Sequence, residues 1–261
     1  MPSITIFSNL EDKDARQEDT LFANYLNKFF DVNLVHPFHY SGSKIDLALI
    51  RNVWPTAPFQ QEFTEFYERL KNNGTKIYNH PSGKGDMRGK QYLVDLSIAN
   101  TPPVIPSVSS AKDIEKLGKT DWYFLKPIHG GSSIGAKKVS RPQITKENMS
   151  GYIYQPFLDI QYESSHYFID KKLQYSLKTR SSRWDLVPYE PTTEELSTAQ
   201  SFAEWNALRY GIQRIDLCKT ETGKVFLIEI EDWCPYLSLT ELNPEIQNKF
   251  LETLMKSLDS I

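Results

Sequence analysis

The sequence predicts an α/β protein made of α+β lobes, in which a small parallel βαβ lobe precedes antiparallel sheet. Short apolar strands alternate with amphipathic helices over about residues 1–80, and this alternation is typical of a parallel sheet with crossover helices. From Asp121 onward, strands follow one another across turns that contain glycine, which favours antiparallel sheet. Residues 80–86 contain proline and glycine and are interpreted as a linker or mobile loop between the two parts.

The elements of the first part follow from hydrophobic periodicity. Strands are expected where apolar residues run together, at residues 3–7, 32–35, 46–50 and 76–79. Helices are expected where apolar residues recur at helical spacing, at residues 19–31 and 58–73. Gly74 is expected to end the second helix, because glycine readily adopts the left-handed conformation found after a helix.

The second part is predicted to contain several strands and two long helices. Strands are expected at residues 122–125, 152–154, 166–169 and 172–177. One helix opens with the capping box Thr192–Glu195 and is expected to stop at Gly211. The other is amphipathic and runs from Ile246 to Leu258.

Bulk composition narrows the class of partner. The chain has 261 residues, of which 30 are basic and 33 acidic, so its net charge of -3 favours neither nucleic acid nor an anionic membrane as a partner. Every apolar run is interrupted by charges or proline well before the roughly 18 residues that a membrane span requires. The two cysteines, Cys218 and Cys234, lie in no metal-binding spacing, and no secretory signal opens the chain. These features predict a cytoplasmic protein that acts on a small molecule.

The stretch from Arg214 to Glu231 is predicted to form a β-hairpin that carries carboxylates on one face. Side chains alternate along a strand, so Arg214 and Asp216 share one face of the first strand, and Glu229 and Glu231 share one face of the second. Pairing of Asp216 with Glu229 would place two carboxylates about 5 Å apart, and clustered oxygen ligands suit Mg²⁺ or Mn²⁺. The polar outer face of an ordinary hairpin explains the same pattern, and the motif alone leaves both interpretations open.

A second motif combines a lysine with a loop of small residues. Lys126 ends an aromatic-rich strand, and the loop that follows supplies backbone N–H groups and hydroxyls from Gly130, Gly131, Ser132, Ser133 and Gly135. Such a loop suits phosphate oxygens, and Lys126 adds a point charge for them. The loop matches neither the Walker A motif nor a dinucleotide fingerprint, because a strand follows it instead of a helix. A plain hairpin loop is the alternative.

The order of these motifs resembles the ATP-grasp superfamily over residues 80–240. Lys90 lies before the helix that leads to the proline-rich strand 101–106, and it resembles the first nucleotide lysine of that family. By the same resemblance Lys126 is the second lysine and catalytic, and the loop 130–135 is the phosphate flap. The resemblance also implies a set of nucleoside-binding residues, namely Gln155, Pro156 and Phe157 in the adenine-reading hinge and Glu163 at the ribose.

The resemblance assigns the hairpin to metal binding, with Asp216, Glu229 and Glu231 as ligands. Glu231 stands where the family usually has asparagine, which adds a negative charge and leaves the number of metals open. Arg214 resembles the arginine that steadies the acyl phosphate in D-alanine-ligase relatives. Lys178 and Arg180 resemble a basic position that touches the γ-phosphate or the carboxylate in glutathione-synthetase-like relatives, with a solvated strand end as the alternative.

Two features bear on the substrate. Arg51 follows a buried strand, where open α/β sheets bind ligands, and is a candidate clamp for a substrate carboxylate or a turn-capping residue. No glycine follows Pro235, so the family's acceptor-binding loop is not carried over.

The resemblance implies three lobes and an enzyme that uses ATP and Mg²⁺. The lobes are a pre-ATP-grasp lobe at 1–80, a first ATP-grasp lobe with the flap at 81–157, and a second with the metal-binding hairpin at 158–261. The expected activity is an ADP-forming carboxylate–amine ligase that acts through an acyl phosphate on a small amino acid or peptide-like substrate. A small-molecule kinase and a nucleotide-binding regulator without turnover are the alternatives. The short first lobe favours a small substrate, or a site that a second subunit of a homodimer helps to form.

Overall fold

The N-terminal part of the protein forms a parallel sheet. The protein is described by a computed structural model that covers residues 3–52, 60–101, 103–131, 133–146, 150–182 and 185–261. The sheet has four parallel strands in the order β2-β1-β3-β4, and these are β1 (Ser3–Phe7), β2 (Asp31–Val35), β3 (Leu47–Ile50) and β4 (Lys76–Tyr78). Helices α1 (Lys13–Leu26) and α2 (Gln60–Asn72) connect them. The predicted strands are confirmed, whereas α1 begins earlier than predicted because the Asp12 side chain accepts a hydrogen bond from the Ala15 amide and caps it.

The middle of the chain forms an antiparallel sheet of three strands. Along the chain, helix α3 (Gln91–Ile98) precedes this sheet, and helix α4 (Arg141–Lys146) comes between its second and third strands. The strands take the order β6-β5-β7, and these are β5 (Trp122–Pro127), β6 (Lys137–Ser140) and β7 (Tyr152–Pro156). Its core contains Tyr123, Leu125 and Tyr154. The loop between β5 and β6 is the predicted phosphate flap, so this sheet positions the flap.

The C-terminal part forms an antiparallel sheet of five strands. Its order is β10-β9-β8-β11-β12, with β8 (Ile160–Ile169), β9 (Lys172–Thr179), β10 (Leu186–Pro188), β11 (Ile212–Thr220) and β12 (Val225–Glu231). Helix α5 (Thr193–Trp205) begins with the predicted capping box at Thr192 and ends before Gly211, and α6 (Pro244–Asp259) closes the chain. No helix in the described part of the chain is long and apolar enough to cross a membrane.

The N-terminal and C-terminal parts share one hydrophobic core. Ile4 and Phe22 from the parallel-sheet part belong to the same buried cluster as Tyr175 of β9 and Phe250 of α6. The three sheets occupy successive stretches of the chain, with the break between β7 and β8 falling at residues 157–159. The lobe boundaries at 80 and 157 remain predictions, and the shared core joins the first and last lobes closely.

The segment predicted as a linker or mobile loop is anchored. Gly83 and Gly85 are buried, and the Gly85 amide donates to Asp232 Oδ2 over 2.9 Å and to Asn206 Oδ1 over 3.0 Å. A Cβ atom at Gly83 would lie 2.2 Å from Asp232 Oδ2, so the absence of a side chain allows this close approach. The glycines therefore allow a close contact with Asp232, which follows β12, so the mobile-loop interpretation is corrected and the linker role remains a prediction.

Arg51 braces the parallel sheet against the segment after β12. Its side chain is 1% exposed and donates to Glu18 Oε1 over 2.7 Å, to Asp19 Oδ1 over 3.0 Å and to the Pro235 carbonyl over 2.8 Å. Burial tends to raise the pKa of Glu18, and Arg51 opposes that rise. Because these contacts bury the guanidinium almost completely, Arg51 is a structural residue and the substrate-clamp interpretation is corrected.

Replacing Arg51 with methionine is expected to destabilise the protein by about 3–5 kcal/mol, because Glu18 and Asp19 would remain buried without their counter-charge. Denaturant unfolding measures this cost. Arg16→Met is the matched control, since Arg16 is exposed on α1 and its loss is expected to change stability by less than about 0.5 kcal/mol. An Arg51→Met protein as stable as the control would contradict the role as a brace.

Candidate nucleotide and metal site

The hairpin of β11 and β12 has the predicted register. Arg214 pairs with Glu231, and Asp216 pairs with Glu229. The turn between the strands closes with a hydrogen bond of 2.8 Å from the Gly223 amide to the Thr220 carbonyl, and Gly223 has φ +83°. The prediction that the carboxylates of Asp216 and Glu229 face each other is confirmed.

The three predicted metal ligands lie together. Asp216, Glu229 and Glu231 each present a carboxylate oxygen, and these three oxygens lie within 4.8 Å of one another. Oxygen ligands at about 2.1 Å from Mg²⁺ stand roughly 3–4 Å apart in an octahedral shell, so a small inward shift of the side chains suits such an ion. Their chemistry and spacing fit a divalent cation that prefers oxygen.

Two cationic side chains contact these carboxylates. The Arg214 guanidinium makes two hydrogen bonds of 2.8 Å to the Asp216 carboxylate, and its Nη2 lies 2.7 Å from Glu231 Oε1. Lys90 Nζ lies 3.0 Å from Glu229 Oε2. Arg214 also donates to the Tyr236 carbonyl over 3.1 Å, which fixes its position. Repulsion between the facing carboxylates is therefore balanced by protein cations.

The pKa values in the cluster are shifted in opposite directions. Burial opposes a charge on Glu229, but Lys90, Lys126 and Arg214 outweigh it and hold its pKa well below the usual range. Burial raises the pKa of Glu231 to about 8, Arg214 opposes this rise, and the nearby carboxylates add to it. Glu229 therefore stays ionised, which suits a metal ligand, whereas Glu231 holds its proton more readily.

One pocket contains both predicted nucleotide lysines. Lys90, Lys126, Glu163 and Glu229 line it from the two antiparallel sheets and the start of α3. From the flap, the lining includes Gly130, Gly131 and Ser133. Lys126 is 8% exposed, and its Nζ donates to the Ile228 carbonyl over 3.0 Å. The structure thus brings together the predicted lysines, flap, ribose carboxylate and metal ligands.

One described residue of the flap, Gly135, is not part of this lining. Gly135 has φ +79°, and a Cβ atom there would lie 3.1 Å from Pro127 Cγ, so glycine favours this turn of the flap. Ser132 lies outside the described residues.

The predicted adenine hinge lies at the end of β7. Gln155 is 2% exposed, its side chain donates to Ser107 Oγ over 2.9 Å, and it pairs with Phe124 of β5. Pro156 pairs with Tyr123 of β5, and the Phe157 amide donates to the Trp122 carbonyl over 3.0 Å. The Phe157 amide is therefore engaged in the protein, which leaves carbonyl groups and the next amide of this segment for a base.

Lys178 lies on the wrong face of the sheet for the predicted role. It pairs with Ser164, which in turn pairs with Leu217, and Leu217 belongs to the core that includes α5. Asp216, adjacent to Leu217, points to the opposite face. The Lys178 ammonium lies 4.6 Å from the centre of the Tyr189 ring, on the α5 side. The assignment of Lys178 to the nucleotide is corrected, because strand alternation directs it away from the pocket.

Arg180 also lies apart from the cluster. Its side chain is 68% exposed, and its Nε and Nη2 donate to the Asp185 carboxylate over 3.1 and 3.0 Å. In the described part of the chain, its guanidinium has no other hydrogen-bond or ion-pair partner. The predicted catalytic role of Arg180 is therefore replaced by a surface ion pair with Asp185.

Two further side chains of the site, Asp86 and Tyr92, were not predicted from the sequence. Lys90 Nζ forms an ion pair with Asp86 Oδ2, and the Tyr92 hydroxyl donates to Asp86 Oδ1 over 3.0 Å. The Tyr92 hydroxyl also accepts a hydrogen bond of 2.6 Å from the Ile230 amide of β12. The four-residue spacing of Asp86 and Lys90 was a detectable signal, since oppositely charged residues at this spacing meet in helical turns.

The architecture matches solved ATP-grasp structures over nearly the whole chain. The D-cycloserine synthetase DcsG superposes with a TM-score of 0.79 at 16% identity, over 97% of this chain and 99% of that protein. The ATP-grasp ligase PsnB with a minimal precursor gives 0.69 at 14% identity, over 98% and 99%. The macrocyclase MdnC from Microcystis aeruginosa MRC, with precursor peptide MdnA, gives 0.68 at 12% identity, over 98% and 100%. The chain therefore has the ATP-grasp fold, and the predicted fold is confirmed.

Sequence comparison adds no closer assignment. No protein-family model matches the chain, and no curated protein sequence matches it either. Within the ATP-grasp fold, the particular reaction therefore depends on the side chains of the pocket.

Proposed function

We propose that the protein is an ADP-forming ATP-grasp ligase that activates a small carboxylate and joins it to an amine. The observation that carries this proposal is a pocket that joins Lys90, Lys126 and the flap to Glu229, whose carboxylate clusters with those of Asp216 and Glu231. Cations on one side and metal-ligating carboxylates on the other are the groups that phosphoryl transfer from ATP requires. The solved ligases with this fold support the same class of reaction.

The nucleotide is proposed to lie between the two antiparallel sheets. Lys90 and Lys126 offset the charge of the phosphates, and the flap amides donate to phosphate oxygens. Glu163 accepts hydrogen bonds from ribose hydroxyls, and the backbone of the hinge at 155–158 contacts adenine. PsnB has been solved with Mg and ADP, which supports ATP and Mg²⁺ as the ligands here.

Asp216, Glu229 and Glu231 are proposed to hold Mg²⁺ or Mn²⁺. An ion held by these carboxylates would neutralise negative charge that develops on the phosphates during transfer. Ionised Glu229 is the principal ligand in this proposal, because nearby cations keep its pKa low. Arg214 keeps Asp216 and Glu231 oriented from the same face of the hairpin.

The proposed reaction has two steps. A carboxylate oxygen of the substrate attacks the γ-phosphorus, the bond to the β-phosphate oxygen breaks, and ADP leaves. The amine then attacks the acyl carbon of the acyl phosphate, phosphate leaves with the electrons of the carbon–oxygen bond, and the amine loses a proton. Arg214 is the proposed donor to the developing oxyanion, since its planar fork lies beside the metal ligands.

The substrate class is proposed from size and from the neighbouring structures. One neighbour is a D-cycloserine synthetase, and two others are bound to precursor peptides. The matches cover 97–98% of the present chain and 99–100% of each neighbour, and the first sheet here is small, with four strands in the described residues. An amino acid or a short peptide is therefore the proposed carboxylate, with an amine as acceptor.

The proposal is tested by ADP release with a panel of amino acids and dipeptides, each with Mg²⁺ and with hydroxylamine as a trap. An acyl phosphate yields a hydroxamate, whereas a kinase product yields none. Hydroxamate formed by the wild type and lost in Glu229→Gln supports the ligase. ADP release without hydroxamate points to a kinase, and absence of ADP release across the panel with tight Mg·ATP binding points to a regulator.

A further inference from the structure

Lys90 is held between two carboxylates that belong to different parts of the site. Its Nζ lies 3.0 Å from Glu229 Oε2 and forms an ion pair with Asp86 Oδ2. The residue is 6% exposed, so these contacts are weakly screened by solvent. Glu229 is one of the three clustered metal-ligand candidates, whereas Asp86 is not. The same ammonium therefore neutralises a metal ligand and a carboxylate outside the metal cluster.

Asp86 is fixed more firmly than an ordinary loop residue. Its Oδ1 accepts a hydrogen bond of 3.0 Å from Tyr92, whose hydroxyl is itself held by the Ile230 amide over 2.6 Å. The short 3₁₀ helix that carries Asp86 is tied to β12, because the Met87 amide donates to Asp232 Oδ1 over 2.8 Å. The carboxylate thus keeps its place beside the lysine whether or not Glu229 has another partner.

We propose that Lys90 is an exchangeable counter-ion of the metal site and that Asp86 is the residue that positions it. Without metal, Lys90 neutralises Glu229 and competes with a cation for that carboxylate. With metal on Glu229, Lys90 stays on Asp86 and its remaining hydrogens turn to the nucleotide phosphates. This inference rests on the proposed function, and it makes metal and nucleotide binding cooperative through one side chain.

The proposal predicts opposite effects for two substitutions on the binding of Mn²⁺ alone. Lys90→Met removes the competitor, so Mn²⁺ is expected to bind about tenfold more tightly, within the range usual for coupled sites. Asp86→Asn removes the second anchor, leaves Lys90 on Glu229, and is expected to weaken Mn²⁺ binding several-fold. In the double variant, the Asp86→Asn effect should vanish if it acts through Lys90.

Mn²⁺ is titrated into each protein without nucleotide, and its affinity is measured by calorimetry. Electron paramagnetic resonance measures the concentration of free Mn²⁺ independently. Lys126→Met is the matched control, because Lys126 donates to the Ile228 carbonyl and not to a ligand carboxylate. It should lose nucleotide affinity as Lys90→Met does, yet strengthen Mn²⁺ binding less. Lys90→Gln keeps hydrogen-bonding capacity without the charge and provides a second measurement if Lys90→Met folds poorly.

Several outcomes overturn the proposal. Unchanged or weaker Mn²⁺ binding in both Lys90 variants does so, and so does undetectable binding in the wild type and both variants. An equal Asp86→Asn effect with and without Lys90 removes the positioning role. Mg·ATP binding by the wild type is measured in parallel. A wild type that does not bind Mg·ATP would refute the proposed function. Normal Mg·ATP binding, with no effect of the Lys90 variants on Mn²⁺ binding, would refute only this inference.

Discussion

Replacing Glu229 with glutamine is expected to weaken Mg·ATP binding by more than about 100-fold. Loss of a residue that only orients a metal ligand costs up to roughly 100-fold in metal affinity, and Glu229 is proposed as a direct ligand. Glu229 faces Asp216 in the hairpin, lies 3.0 Å from Lys90, and has a pKa held well below its usual range. The neutral amide loses the charge that attracts the metal. Asp216→Asn is expected to act in the same direction, because its carboxylate belongs to the same cluster.

Calorimetry with and without Mg²⁺ checks this prediction. Nucleotide binding without metal should change much less in either variant. Glu221→Gln is the matched control, since Glu221 is exposed in the turn of the same hairpin. If Asp216→Asn and Glu229→Gln bind Mg·ATP like the wild type, the metal assignment is wrong.

Replacing Arg214 with methionine is expected to slow turnover about a hundredfold or more while ATP still binds, because loss of a donor to a developing oxyanion costs about 3 kcal/mol. Steady-state kinetics with the substrate found in the panel measure the rate. Lys219→Met on the same strand is the matched control, because Lys219 is half-buried and outside the acidic cluster.

The ion pair between Arg214 and Glu231 adds a structural role, since the two residues lie opposite each other across the hairpin. Without Mg²⁺, Arg214→Met leaves Asp216 and Glu231 without their bound cation, and the melting temperature should fall. Adding Mg²⁺ should restore much of it, because the ion supplies the missing positive charge. A melting temperature that stays low with Mg²⁺, with an activity loss in proportion to unfolding, would retire the catalytic role.

Local patterns predicted the hairpin and most elements correctly. The spacing of Arg214 and Asp216, and of Glu229 and Glu231, was sufficient, because strand alternation and a short turn together set the register. Lys90 was placed before a helix by resemblance, and the structure has it at the start of α3. These predictions succeeded because the residues concerned lie close together along the chain, within one hairpin or at the start of one helix.

Predictions that depended on nonlocal pairing failed. Lys178 lies near the end of β9, and the face on which its side chain lies depends on pairing with Ser164 of β8. The glycines at 83 and 85 suggested a linker or mobile loop, whereas they allow contact with Asp232, which is distant in sequence. A residue pattern specifies neither which partner strand is chosen nor which distant side chain fills the space beside a glycine.

The sequence by itself determined the α/β class, the parallel first sheet and the register of the acidic hairpin, because each depends on periodicity or spacing along the chain. Only the tertiary structure decided that Lys90 lies between Asp86 and Glu229, and that Arg51 braces Pro235 instead of facing a ligand. The packing of whole sheets determines which charges meet in the interior. The free-energy cost of burying a charge is offset only when an opposite charge lies within a few ångströms.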